Sequence, residues 1–303
     1  MKNLFFYIFI SIVIISCGTA DKHNKAVEKE TIPNSSVEHF QRHIALNGQS
    51  NFRDLGNYKT SDKEILKSGM VYRTGTLSKL SDPDVQIIES LNIKTVINFL
   101  TEEERAKRGD DRLPEGVQSV YLSIDGTNNE IANLLVARQN GDFSKIPADF
   151  NYKIHAMLTE DGKEEYAQLF HLLANADNYP IVFHCSHGVH RTGTAAALIL
   201  SILGVPWETV REEYLLSNEY RKEEVDKRMA DLFSLADENP EINDKEENQK
   251  NITAFYILKG EYVDGTKLAI EENYGSFEQY LNSIGVSVYE IEKIKNNILK
   301  KPD

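Results

Sequence analysis

Apolar positions along this chain fall into two patterns. Short unbroken runs, Lys94–Leu100, Val117–Ile124 and Ile181–Phe183 behind Pro180, predict buried strands. Residues 128–138, 148–158 and 164–174 repeat their apolar positions at helical spacing. Asn51–Tyr58 and Val71–Leu77 read as strand and turn, and Ser81 with Pro83 two residues on predicts a helix start. Thr192-Gly193-Thr194 leads into Ala195–Leu200, an apolar helix that Gly204 can end. Pro206 opens the next helix, which runs through Trp207 to Leu216. Ser276-Phe277-Glu278-Gln279 and Ser287-Val288-Tyr289-Glu290 both have the form of a capping box, predicting two short closing helices. Strands alternating with helices predict an α/β fold: a mostly parallel central sheet flanked by helices, with a C-terminal helical extension.

The first residues break this pattern. Met1-Lys2-Asn3 precedes a twelve-residue apolar run, Leu4–Ile15, too short to span a bilayer and of the right length for a signal-peptide core. It ends in Ser16-Cys17, which resembles a bacterial lipoprotein signal cleaved before a lipid-modified cysteine. The expectation is a signal peptide over 1–16, a polar tether over 17–39 and a catalytic domain over 40–300. The mature protein would then sit in a bacterial cell envelope, on the periplasmic side or at the surface, held to the membrane through a lipid on Cys17.

Composition narrows the partners. The 303 residues are 41% hydrophobic and 27% charged, enough for a full core. A formal net charge of −13 argues against a nucleic-acid partner, since such binding needs a basic face. Any anionic ligand would have to meet a local positive pocket. Acidic residues are densest from Glu223 to Glu247, read as a solvated face. Two cysteines leave no disulfide once one carries lipid and one is catalytic.

The chemistry concentrates in His184-Cys185-Ser186-His187-Gly188-Val189-His190-Arg191-Thr192. The apolar strand delivers Cys185 to a loop that closes on Arg191 at a helix N-terminus, where unpaired N–H groups and the dipole favour an anion. Five residues between Cys and Arg let successive N–H groups of Ser186, His187, Gly188, Val189 and His190 curl around one tetrahedral oxyanion. Arg191 can hold two of its oxygens in a bidentate fork. The same surroundings depress the Cys185 thiol and make it a nucleophile.

This run resembles the protein tyrosine phosphatase superfamily, whose signature is His-Cys, five residues, then Arg-Ser/Thr. A rhodanese-type loop is one residue shorter. Asn51–Tyr58, Tyr72–Leu77, Thr95–Glu104, Glu213–Asn218 and Tyr274–Leu299 are similar to a bacterial branch of tyrosine/serine phosphatases, some of which accept phosphoinositides; the likeness covers roughly residues 40–299. The resemblance implies a metal-independent and cofactor-free phosphomonoesterase, with Thr192 easing departure of the Cys185 thiolate and a helical lid over 218–262. It implies a phosphorylated protein, with phosphotyrosine preferred, or a phosphorylated lipid or inositol as substrate. A phosphate-binding pseudophosphatase is the remaining class. Three departures bear on this. Val189-His190 stands where many relatives have Lys-Asp, removing a residue associated with lipid headgroups and one candidate proton donor. Asn98-Phe99-Leu100 stands where Asp-Leu-Arg is common.

The general acid is therefore expected from Asp125, at the end of Val117–Ile124, with His190 as its rival because imidazole titrates near neutral pH. His184 is expected to bond the loop backbone. His187 and His190 read either as solvent-facing residues or as positive charges beside the anion, and Arg53 with Asp54 as a structural ion pair.

Overall fold

The computed structural model describes residues 41–125 and 129–301, with the side chains of residues 129–132 excepted. Cys17, the signal peptide and the tether, along with Gly126 beside Asp125, lie outside the described residues.

Seven strands are present among them: β1 (Arg53–Asp54), β2 (Ile65–Leu66), β3 (Val71–Thr74), β4 (Thr95–Asn98), β5 (Gln118–Tyr121), β6 (Ile181–His184) and β7 (Leu299–Lys300). The helices of the first half are α1 (Asp82–Ser90), α2 (Glu102–Arg108), α3 (Asn129–Asn140), α4 (Phe150–Asp161) and α5 (Lys163–Ala174). After the loop come α6 (Arg191–Ile202), α7 (Trp207–Tyr220), α8 (Lys222–Glu238), α9 (Lys245–Tyr256), α10 (Gly260–Tyr274), α11 (Phe277–Ser283) and α12 (Val288–Ile298).

The main sheet runs β1-β3-β6-β4-β5. β3, β6, β4 and β5 are parallel, and β1 is antiparallel to β3 at one edge. β6 is thus central, with β3 and β4 on either side, and all four of its residues are buried. Burial on both faces explains why its sequence is a continuous apolar run rather than an alternating one. The loop after β6 leaves the carboxyl ends of these strands, where open α/β sheets bind ligands.

One expected strand differs in character. Val117–Ile124 was expected to be buried throughout, but β5 is the edge strand, with Gln118, Ser119 and Tyr121 exposed. Its apolar burial comes afterwards, at Leu122 and Ile124, whose amides donate to the Asn98 and Phe99 carbonyls at and beyond the end of β4. An edge position leaves one flank and part of both faces open, so polar residues are tolerated.

α6 is buried along nearly its whole length, from Thr192 to Ile202, and Gly204 ends it with φ +83°. Residues around it complete the core: α10 packs across α4 and also meets α6 and α7. At that crossing a Cβ on Gly265 would come within 2.2 Å of the Tyr152 carbonyl, so the helices approach as closely as only glycine permits. The tail closes back on the start of the domain through the β2–β7 ribbon. Ser287 forms the full capping box of α12. At α11 the Ser276 hydroxyl accepts from the Gln279 amide, but Gln279 does not reach back, so only half of the expected box is made. None of the described helices is long and apolar enough to cross a membrane.

Candidate active site

Cys185 follows the last residue of β6, and Arg191 is the first of α6, so the intervening loop is fixed at both ends by buried elements. Two further supports hold its middle. Arg73 on β3 donates to the Gly188 carbonyl at 2.7 Å. Asn51 donates to the carbonyls of His187 and Gly188 at 3.0 and 3.3 Å. Gly188 has φ +70°, and a Cβ there would sit 2.5 Å from the Thr74 carbonyl oxygen, so the loop can lie on β3 only with glycine. The amides of Gly188 and Thr192 are turned toward the Cys185 sulfur.

Arg53, Arg73 and Glu213 form the foundation beneath. Glu213, on α7, accepts from Arg53 Nε at 2.6 Å and from Arg73 at 2.5 Å, all three side chains being essentially unexposed. Arg53 also donates to Asn51 Oδ1 and Ser217 Oγ. This corrects the expected Arg53–Asp54 ion pair. Asp54 instead accepts the amides of Gly56 and Gly69. Burial of two guanidiniums calls for a fully shared carboxylate, which Glu213 supplies, whereas the Asp54 carboxylate is committed to backbone amides.

Glu104 grips Arg191. The Arg191 fork meets both Glu104 oxygens at 2.6 and 2.7 Å and also donates to the carbonyls of Phe99 and Ile124. Glu104 itself closes the capping box of α2 with Thr101, so the helix start sets the height of the guanidinium. On the other side of the strand, His184 Nε2 lies 2.9 Å from Asp111, whose carboxylate also takes the Asn98 side chain and the Leu77 amide. His184 Nδ1 faces the Cys185 carbonyl at 3.2 Å. His184 therefore does bond the loop backbone, as expected, with an anchor the sequence reading did not name.

Electrostatics at Cys185 resolve a contest. Burial raises a thiol, but Arg191, the Thr192 hydroxyl and the amides of Thr192 and Gly188 outweigh it and bring Cys185 down to about 7. The Thr192 hydroxyl is buried and has no oxygen or nitrogen partner, which leaves it free for the sulfur. Burial also works against ionised Glu104, yet Arg191 holds it below its usual range.

The two other loop histidines behave differently from either expectation. His187 and His190 are part-buried, not freely solvated, and neither is a cation. Burial first, then Arg191, Arg221 and Arg138, push His190 down to about 3. Burial with Arg138, Arg221 and Arg108 likewise keeps His187 neutral. His190 Nε2 lies 2.8 Å from Asn151 Oδ1, whose amide nitrogen donates to Ala254 and Phe255 carbonyls. The ring nitrogen is therefore the donor in that bond.

Asp125 is exposed and immediately follows Ile124, whose carbonyl accepts from Arg191 at 3.2 Å. Its backbone is thus brought to the rim of the site. Ser186 and Val189 are buried in the loop. Arg73, Glu104, Asp111, Glu213 and Asn151 were not singled out as site residues from the sequence. Arg73, Glu104 and Glu213 lie in segments that carry the family resemblance, and Glu104 also has the Thr101-x-x-Glu104 spacing. The rest act through contacts distant along the chain. Among the described residues no group of three His, Cys, Asp or Glu side chains could hold a metal.

A model of the tyrosine phosphatase family matches residues 44–300. The chain is 24% identical over 277 residues to the triple specificity protein phosphatase PtpB of Mycobacterium tuberculosis, spanning 84% of this chain and 98% of that one. A tyrosine-protein phosphatase of Nostoc commune is 26% identical over 74% of this chain and 72% of its own. A putative tyrosine-protein phosphatase of Cupriavidus necator is 23% identical, covering 78% and 82%.

Proposed function

This chain belongs to the tyrosine phosphatase family and is a cysteine-dependent phosphoric monoester hydrolase, and from that premise we propose that its preferred substrate is phosphotyrosine in a protein. Relatives named as tyrosine-protein phosphatases support the phosphotyrosine reading, and the observation beneath it is Cys185 at the head of a loop that closes on Arg191 at the start of α6. Cys185 attacks phosphorus, the aryl oxygen leaves with a proton, and a phosphocysteine forms. Water then cleaves the sulfur–phosphorus bond, and the Thr192 hydroxyl stabilises the departing thiolate. The loop amides and Arg191 stabilise charge on the transferring phosphoryl group throughout. Glu104 engages Arg191 through Nη1 and Nη2, so the Nε edge can take phosphoryl oxygens while Glu104 holds the guanidinium in place before substrate arrives.

Asp125 is our candidate for the acid of the first step and the base of the second. His190 is a poor rival, since it is neutral at working pH and its Nε2 hydrogen is committed to Asn151. The relative named for triple specificity supports a broader substrate range as the second reading, and the resemblance to a branch with phosphoinositide-accepting members suggests that phosphoinositides fall within it. The loss of Lys at position 189 favours the protein substrate over it.

A panel of phosphotyrosine, phosphoserine and phosphoinositide substrates with phosphate release as readout tests the proposal. Phosphotyrosine should be preferred, and Cys185→Ser should abolish turnover while retaining affinity for a phosphate mimic. Substantial activity in that variant would sink the covalent route, and a phosphoinositide preference would reverse the substrate assignment.

A further inference from the structure

Beside the catalytic loop lies a cavity of about 360 Å³ with an excess of positive charge. Arg138 from α3, Arg221 at the junction of α7 and α8, and Lys227 and Arg228 from α8 line it, with His187 and Tyr256. Glu224 and Asp231 also border it, so four cationic side chains face two carboxylates. Arg138 is turned toward Tyr256 and His187, and Arg228 toward the Arg138 carbonyl, not toward carboxylates.

Arg221 is the telling member. It is only 6% exposed, its Nε–H has no hydrogen-bond partner, and its contact with the Glu224 carboxylate is long at 3.5 Å. A buried guanidinium with an unused donor is destabilising unless another group accepts from it. Arg221 also contributes to holding both His187 and His190 neutral, which places its charge beside the loop as well as in the cavity wall. An anion entering this cavity would find guanidinium forks suited to a phosphate.

We propose that this cavity is an accessory subsite for a second phosphate carried by the same phosphotyrosine polypeptide, within a few residues of the tyrosine. His187 gives its backbone to the catalytic loop and its ring to the cavity wall, so a ligand filling both places reaches across one residue. Neighbouring side chains of an extended peptide, with about 3.3 Å of rise per residue, span such a gap. The assignment rests on the phosphotyrosine reading above and deepens it to substrates with clustered phosphates.

The test uses full-length Cys185→Ser protein and two peptides, one with a single phosphotyrosine and neutral flanks, the other with a second phosphorylated residue two positions away. The doubly phosphorylated peptide should bind about tenfold tighter. That ratio should collapse toward one in Arg221→Gln and in Lys227→Ala, the latter an exposed position where folding is not at stake. Equal affinities, or a preference that both variants retain, would overturn the subsite. So would an Arg221-dependent preference for a free inositol bisphosphate over the doubly phosphorylated peptide. If wild-type enzyme hydrolyses the singly phosphorylated peptide but neither partner discriminates, only the subsite falls. If neither peptide is bound or hydrolysed, the phosphotyrosine reading falls with it.

Discussion

Cys185 exposes 3% of its surface, and a thiol so buried would ordinarily resist ionisation. Arg191 and the Thr192 hydroxyl reverse this, so the thiolate fraction should rise with pH and reach half near 7. The rate of Cys185 alkylation by iodoacetamide, followed by mass spectrometry, reads this without substrate. Its midpoint should move upward in Thr192→Val, because a group stabilising the thiolate is gone; a wild-type midpoint at the ordinary thiol value near 8.5 would refute the argument. The acid is a second question at the same scale. An acid matters most when the departing oxygen is a poor leaving group. Asp125→Asn should lose far more activity on phosphotyrosine than on an activated fluorinated aryl phosphate. Equal losses on both would remove Asp125 from the role. His190→Ala should show no such dependence on leaving group, since its ring holds no proton to give beyond the one on Asn151.

Elements meet at Glu213, where α7 joins β1 and β3 under the loop. Removing one partner of a buried ion network strands the others, at a cost of about 3–5 kcal/mol. Glu213→Gln should therefore lower the denaturant midpoint by a corresponding amount, and Arg73, no longer anchored, should release Gly188 so that activity falls more than stability alone explains. A variant with native stability and activity would show the network to be dispensable. This network also marks the boundary of what the sequence made legible. Strand β6, the loop and α6 are contiguous, so their apolar run, residue count and helix start could be read together. Arg53 and Glu213 are 160 positions apart, and no local pattern could pair them. The exposure of β5 escaped for a related reason: an edge strand is defined by its neighbours in the sheet, not by its own residues. α2 was a different kind of omission. Its capping box was visible in Thr101-Glu102-Glu103-Glu104, but its seven residues hold no buried side chain and so lack an apolar stripe. The half-formed box at Ser276 shows the converse, a capping sequence that is only partly used.

At the scale of the whole molecule, a net charge of −13 and a basic site pull in opposite directions. The net negative charge repels anionic lipid, so the protein has little means of adsorbing to a membrane by charge. We propose that any membrane residence comes from lipid on Cys17. The two attachments respond oppositely to salt and to mutation. Electrostatic adsorption weakens as ionic strength shortens the Debye length to about 3 Å at 1 M, whereas buried acyl chains are indifferent to it. Protein expressed from the full sequence in a bacterial host should therefore remain with membranes through a high-salt wash and be extracted by detergent. Cys17→Ala should abolish that retention or block processing of the signal, and leave the hydrolysis of aryl phosphates intact. Wild-type protein released by salt, or found wholly soluble, would show that Cys17 carries no anchor.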